Sequence, residues 1–209
     1  MNDNYILYLR TDIWDEELTA GGSVTHTLGV IKGFHDLGYP VLCASSCLDS
    51  VLKNVKLEKL VKLSNPSSLR FLRWKVNCFL SSFFFFFQTK KLIREYPIAC
   101  IYQRYSLLNL TGVFLARWYK KKLILEYNCS EVWTAFEWVP KKRLTFLIKP
   151  LSWIEQYTIR QADYLVVVSE ILKNELISWG VPAEKILINP NGVDTDHFDP
   201  ERIKRECAQ

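Results

Sequence analysis

"ADYLVVVSEILKNELISWGVPAEKILINPN" (Ala162–Asn191) reads as strand, helix, strand. "DYLVVVS" (Asp163–Ser169) is an almost unbroken apolar run. That pattern belongs to a strand buried on both faces of a parallel sheet. Ser169 is a natural N-cap, with Glu170 in the first turn behind it. Leu172 and Leu176 fall one helical turn apart, Gly180 stands where the helix should stop, and Pro182 follows. "KILINPN" (Lys185–Asn191) then repeats the apolar strand pattern.

Working outward, the same alternation recurs. "YILYLR" (Tyr5–Arg10), "PVLCAS" (Pro40–Ser45), "IACIYQRY" (Ile98–Tyr105) and "KLILEYN" (Lys122–Asn128) are further strands by the same signal. Between the first two, Val24, Leu28, Ile31, Phe34 and Leu37 recur at helical steps, and Gly38 closes the helix. Repeated strand–helix alternation predicts an α/β fold: a doubly wound, mostly parallel Rossmann-like sheet with helices on both faces. No internal repeat or long linker interrupts it.

The chain has 209 residues, 49% hydrophobic and 23% charged, which suits a globular protein with a sizeable core. Its six cysteines form no C-x-x-C pair and histidine is scarce, so a zinc site has no support, and the several cysteines inside apolar runs are expected to be reduced, buried thiols. "MNDNYILYLRTD" lacks a basic segment followed by an apolar one, so no signal peptide is read and a cytoplasmic location is expected. Charge is unevenly placed. Residues 1–50 carry two basic and seven acidic side chains, whereas residues 51–95 carry ten basic and two acidic. "RWYKKK" (Arg117–Lys122) and "PKKR" (Pro140–Arg143) add to the basic share. An anionic partner fits this asymmetry, and solvated helix faces are the plainer explanation. The basic clusters carry no recognisable nucleic-acid-binding motif, so no nucleic-acid partner is expected.

"CFLSSFFFFFQ" (Cys78–Gln88) contains Phe83, Phe84, Phe85, Phe86 and Phe87 in succession. The run is too short to span a bilayer, which needs about twenty apolar residues. Trp74 and the flanking basic residues suit a helix lying in a membrane interface, and core packing is the alternative. Trp74 and all five phenylalanines are therefore candidate interface residues, with the inner face of an anionic membrane as the partner surface. "TFLIKPLSWI" (Thr145–Ile154) could extend that surface.

Candidate binding residues cluster after the strands, where open α/β sheets hold their ligands. Gly21 and Gly22 precede the first helix, and a helix N-terminus stabilises phosphate. His26 lies one turn further on, toward the same face. Arg104 and Tyr105 end one strand and Glu126 and Asn128 end the next, groups suited to polar or sugar ligands. An Arg stacked on Tyr and a capping amide are the plainer readings of these. Neither G-x-G-x-x-G nor G-x-x-x-x-G-K-[ST] is present, which removes the main support for a dinucleotide-dependent oxidoreductase or a P-loop enzyme.

Taken in order, "GGSVTHTLGVIKGFHDLGYPV", "IYQRYSLL", "LEYNCSE", "ADYLVVVSEILKNEL" and "INPNGVDTDHFDP" resemble the N-terminal, acceptor-side half of a family-four retaining glycosyltransferase of GT-B fold. The resemblance implies transfer of a sugar from a nucleotide-sugar co-substrate, without metal or other cofactor, to a glycan or lipid-linked acceptor. Cell-surface polysaccharide assembly is the expected setting. It places Gly21 and Gly22 toward the donor phosphates, and His26, Arg104, Tyr105, Glu126 and Asn128 on the acceptor side. It also divides the chain into an acceptor domain at residues 1–190 and, at residues 191–209, an interdomain hinge with Asn191, Gly192 and Asp194 followed by the start of an absent donor-binding domain. The family's donor-binding domain, with its Arg/Lys pair and E-x7-E motif, would follow Pro200. The chain is therefore expected to be inactive as it stands, and no catalytic residue is assigned. The alternative is a non-catalytic, membrane-associated subunit that recruits a separate donor-binding chain.

Overall fold

In a computed structural model, residues 4–12, 18–53, 55–65, 74–137 and 148–192 are described, apart from the side chains of residues 49, 74–76 and 135–137. Seven strands form one all-parallel sheet in the order β3-β2-β1-β4-β5-β6-β7. They are β1 (Tyr5–Arg10), β2 (Val41–Ser45), β3 (Lys59–Lys62), β4 (Ile98–Arg104), β5 (Lys122–Tyr127), β6 (Tyr164–Val167) and β7 (Ile186–Ile188). The helices are α1 (Gly22–Asp36), α2 (Asp49–Leu52), α3 (Trp74–Glu95), α4 (Thr111–Tyr119), α5 (Glu131–Glu137), α6 (Ile148–Arg160) and α7 (Glu170–Ser178). This is the doubly wound sheet expected from the alternating pattern.

The strand order dictates where the helices go. Parallel crossovers are right-handed, so a chain that winds first one way from β1 and then the other must place its helices on opposite faces. Ile6 and Tyr8 of β1 accordingly pack with Val24 and Ile31 of α1 and Leu52 of α2. Leu7 and Leu9 pack on the other face with Phe85 and Leu92 of α3, Leu115 of α4, Ile159 of α6 and Leu176 of α7. The winding reverses between β1 and β4, and there the strand ends Arg10 and Arg104 lie side by side in register. A crevice at such a reversal is where this kind of sheet binds ligands.

Local signals behave as the residues dictate. The Ser169 side chain accepts a hydrogen bond from the Leu172 N–H and caps α7. Gly38 and Gly180 end α1 and α7 with φ of 82° and 84°, a region that favours glycine. β3 was not expected. It is a four-residue edge strand of lysines and half-buried apolar residues, too short and too polar for the apolar-run signal.

The phenylalanine run requires a correction. α3 turns about 100° per residue, so consecutive side chains sweep around the helix. Phe85 is 1% exposed and belongs to the core, not to a membrane face. Phe86 is half-buried against Tyr119 and Trp118. Phe83, Phe84 and Phe87 are exposed, and the Trp74 side chain lies outside the described residues.

α4 is fixed to the sheet by a buried amide. Gln103 Oε1 accepts from the Gly112 N–H at 2.7 Å, while its Nε2 donates to Thr11 Oγ1 at 3.2 Å. A Cβ at residue 112 would lie 2.1 Å from that Oε1. Gly112→Ala is expected to break this contact and destabilise the chain by about 2–4 kcal/mol. Urea denaturation should show it, and Gln103→Ala in the same chain should recover part of the loss.

Candidate functional site

The first helix is tethered at the crevice by a buried guanidinium. Arg10, 2% exposed at the end of β1, donates from Nη1 to Thr27 Oγ1 at 2.7 Å and to the Ser23 carbonyl at 3.1 Å. Its Nε is paired with Asp12. Arg10 thereby holds the first turn of α1 over the strand ends. Gly21 caps that helix with φ 110° and no side-chain hydrogen bond, a conformation that calls for glycine. Gly22 has an open surround, with nothing within 4 Å of a Cβ built on it. The Val24 and Thr25 N–H groups bond the Gly21 carbonyl at 3.0 and 3.1 Å, whereas the Gly22 and Ser23 N–H groups precede the first intrahelical bond and are the donors a helix N-terminus presents to an approaching anion.

The second feature is a buried carboxylate. Glu126, 1% exposed at the end of β5, is the register partner of Arg104 on β4. Arg104 Nη1 donates to its Oε1 at 2.8 Å and Asn128 Nδ2 to the same oxygen at 2.6 Å. Tyr102 donates its hydroxyl to Oε2 at 2.9 Å. From α1, His26 Nε2 stands 3.2 Å from Oε1, close enough to pair but poorly aligned for a hydrogen bond. Burial pushes this carboxyl upward, but the facing His26 imidazole and the Arg104 charge outweigh it and bring it down to about 2. Glu126 is thus a fixed anion that organises its neighbours. Arg104 and His26 keep partial exposure, with side chains 17% and 11% accessible. Asn128 Oδ1 is buried and has no hydrogen-bond partner among the described residues.

His26, Arg104, Glu126 and Asn128 therefore come together, under a helix N-terminus marked by Gly21 and Gly22. Tyr105 does not join them. Its backbone N–H bonds the Glu126 carbonyl at 2.8 Å, but its ring turns to the opposite face and packs 5.6 Å from Tyr127. Side chains alternate along a strand, so residues 104 and 105 cannot both face one site. Asn191 and Gly192 are exposed coil after β7, and Asp194 lies outside the described residues.

Sequence reasoning missed Arg10 and Asp12, whose signal is a charged pair closing an apolar strand. It also missed a second acidic group. Glu155 of α6 accepts from Ser130 Oγ at 2.8 Å and from the Glu131 N–H at 3.1 Å. Glu131 accepts from the Leu107 N–H at 2.6 Å, which ties α5 to the loop after β4. Burial, with the Asp12 carboxylate adding to it, pushes Glu131 up to about 8. A cavity of about 610 Å³ opens beside Glu155, lined also by Ser130, Trp133, Glu175 and Trp179. Among the described residues, the Glu126 group does not line it.

The fold is that of one Rossmann-like half of a GT-B architecture. The chain belongs to glycosyltransferase family 4, whose model matches residues 20–197. No curated protein matches it. Among solved structures it is similar to a glycosyltransferase from Rickettsia africae, with 16% identity and a TM-score of 0.59 over 99% of this chain and 48% of that one. It is also similar to the UDP-GlcNAc 2-epimerase from Neisseria meningitidis bound to UDP-GlcNAc (12%, TM-score 0.63, 98% and 51%). A third similar structure is Anabaena HepE in complex with UDP (16%, TM-score 0.57, 93% and 46%). The chain spans about half the length of these structures.

Glu126 and Glu131 have opposite consequences for stability. Glu126 lies below its ordinary value of 4.5, so its stabilisation is full above about pH 4.5 and fades as pH falls toward 2. Between those limits the loss should reach about 3 kcal/mol. Glu131 lies above its ordinary 4.5, so the folded chain keeps a proton that the unfolded chain releases, and stability falls as pH rises from 4.5 toward 8. Urea midpoints measured across pH should therefore rise and then decline. Glu126→Gln should flatten the acid limb, and Glu131→Gln the upper one.

Proposed function

We propose that the chain is the acceptor-binding half of a glycosyltransferase that moves a sugar from a nucleotide-sugar donor to a glycan or lipid-linked acceptor. The observation that carries this is the pre-ionised Glu126, which holds Arg104, Asn128 and His26 at one strand-end crevice. A sugar hydroxyl needs fixed donors and acceptors, and Asn128 Oδ1, without a partner among the described residues, is an acceptor for one. Glu126 acts through these neighbours, being itself buried. Gly21 and Gly22 face the donor phosphates. Binding of UDP or UDP-GlcNAc by two proteins of similar fold supports a nucleotide-sugar donor. Charge on the departing diphosphate needs cationic stabilisation, and we assign that to a second Rossmann-like unit beyond a hinge at Asn191 and Gly192. No metal or other cofactor enters this scheme. Cell-surface polysaccharide assembly at the inner face of the membrane is the setting we propose.

A second reading, a non-catalytic membrane-associated subunit that recruits a separate donor-binding chain, is favoured by the exposed aromatic residues of α3. The two readings part on acceptor binding. An array of immobilised oligosaccharides, including short prenyl-linked ones, is expected to retain the chain on one glycan class. His26→Ala and Asn128→Ala should each weaken that binding about tenfold or more; each also takes a partner from the buried Glu126 carboxylate and lowers the melting temperature, so binding is compared well below the melting point of either variant. Retention of no glycan would sink the acceptor assignment and leave the subunit reading.

Gly22→Val tests the donor side. Its Cβ enters open space, so the melting temperature should shift by no more than about 2–4 °C. Paired with a donor-binding unit, the variant should raise the KM for nucleotide sugar. An unchanged KM would remove the phosphate-facing role of this loop.

A further inference from the structure

The exposed side of α3 has a structure of its own. Phe79, Phe83 and Phe87 follow one another at four-residue steps, and Lys90 and Arg94 continue the same stripe. The helix is about 33 Å long at 1.5 Å per residue. Its opposite side supplies Cys78, Phe85 and Leu92 to the interior, so the stripe is not needed for packing. Phe79, Phe83, Phe84 and Phe87, with Trp118 of α4, are between 38% and 73% exposed.

These rings make two groups along α3 and α4, Phe79 with Phe83 and Phe114, and Phe87 with Phe86 and Trp118. Phe79 lies 5.7 Å from Phe83, Phe83 lies 5.2 Å from Phe114, and Phe86 lies 6.2 Å from Trp118. An apolar patch of this kind on a folded domain marks an interaction site. Its surroundings are cationic. In α3 from Asn77 onward and in α4 with the two residues after it, Lys90, Lys91, Arg94, Arg117, Lys120 and Lys121 stand against one acid, Glu95. Glu95 is itself paired with Lys59 and Lys91. Lys90 Nζ lies 4.5 Å from the centre of the Phe87 ring, so charge and aromatic surface adjoin directly.

We infer that the α3–α4 face docks on an anionic lipid bilayer, with the phenylalanines and Trp118 in the headgroup–acyl boundary and the basic residues among the headgroups. Aromatic rings favour that depth, and each lysine or arginine near an anionic surface adds attraction. A second copy of the chain would meet the same basic residues and be repelled by them. No helix among the described residues is long and apolar enough to cross a membrane, so the helix lies in the surface plane.

The docked orientation places the crevice. α3 begins beside Leu107 and Leu108, in the loop after β4, and ends beside the first residues of β1 through Tyr96 and Tyr5. Its aromatic stripe therefore starts at the same sheet edge as His26 and Glu126. A lipid-linked acceptor lying in the bilayer would present its sugar to that edge. This last step rests on the proposed acceptor-binding function, whereas the docking itself does not.

Flotation of the full chain with phosphatidylcholine vesicles containing about one-third phosphatidylglycerol tests the docking. Binding is expected at low salt, with little to pure phosphatidylcholine and a marked loss at high salt. Lys90→Glu/Arg94→Glu should lower partitioning about tenfold or more. Phe83→Ser/Phe87→Ser should lower it at unchanged charge. Trp118→Ala, at a side chain 73% exposed and so safe for folding, should do the same to a smaller degree. No flotation on anionic vesicles at low salt, or equal flotation of wild type and all three variants, overturns the inference. So does self-association lost in the aromatic variants without any flotation, which would make a second copy the occupant. Flotation uses no sugar, so its failure leaves a positive glycan-array result standing, and the reverse holds too.

Discussion

The carboxylate of Glu126 is the constraint around which the crevice is organised. An ionised group at 1% exposure is costly unless each lone pair is met. Here the partners come from three separate elements: Tyr102 and Arg104 on β4, Asn128 after β5, and His26 on α1. Meeting that one charge fixes the spacing of β4 and β5 and the approach of α1 to both. Arg10 makes the complementary tie, a buried cation at the end of β1 that grips α1 at Ser23 and Thr27. Opposite charges thus hold the same helix from β1 and from β5, on either side of β4. The rigidity of the site follows from the cost of releasing either.

Much of the fold was legible because most of its strands are apolar on both faces and two of its helices, α1 and α7, end at glycine. The unit from Asp163 to Ile188 carried cap, period and stop signals that agreed with one another, and each proved correct. β3 escaped because an edge strand buries little and so needs little apolar sequence. The site was legible by position but not by pairing. Strand ends could be named from sequence, whereas the meeting of His26 with Glu126 depends on how a helix near the start sits over a strand beyond the middle. Tyr105 was misplaced for a local reason: the period of two along β4 sends it away from Arg104. Glu131 and Glu155 gave no sequence signal, since each reads as an ordinary helical glutamate until the fold buries it.

The phenylalanine run shows how a helix divides a uniform sequence. Five identical side chains enter α3, yet Phe85 fills the core, Phe86 leans on α4, and Phe83, Phe84 and Phe87 face outward. Composition alone cannot make this separation. The angular step of the helix makes it, and only the buried stripe of Cys78, Ser81, Ser82, Phe85, Thr89 and Leu92 reveals which side is which.

The strand order also governs how the chain can assemble. β1 pairs on one side with β2, which follows soon after it, and on the other with β4, as in Ile6 with Val41 and with Cys100. On a ribosome, the first three strands emerge and can associate while the second edge of β1 still has no neighbour. Until the segment around Cys100 arrives, a central strand destined for complete burial is an open edge, and such edges invite wrong pairing. Long-range parallel pairing is slow to form. The central position of β1, which places Arg10 at the crevice, therefore makes the interval before β4 docks the most vulnerable stage in the life of the chain.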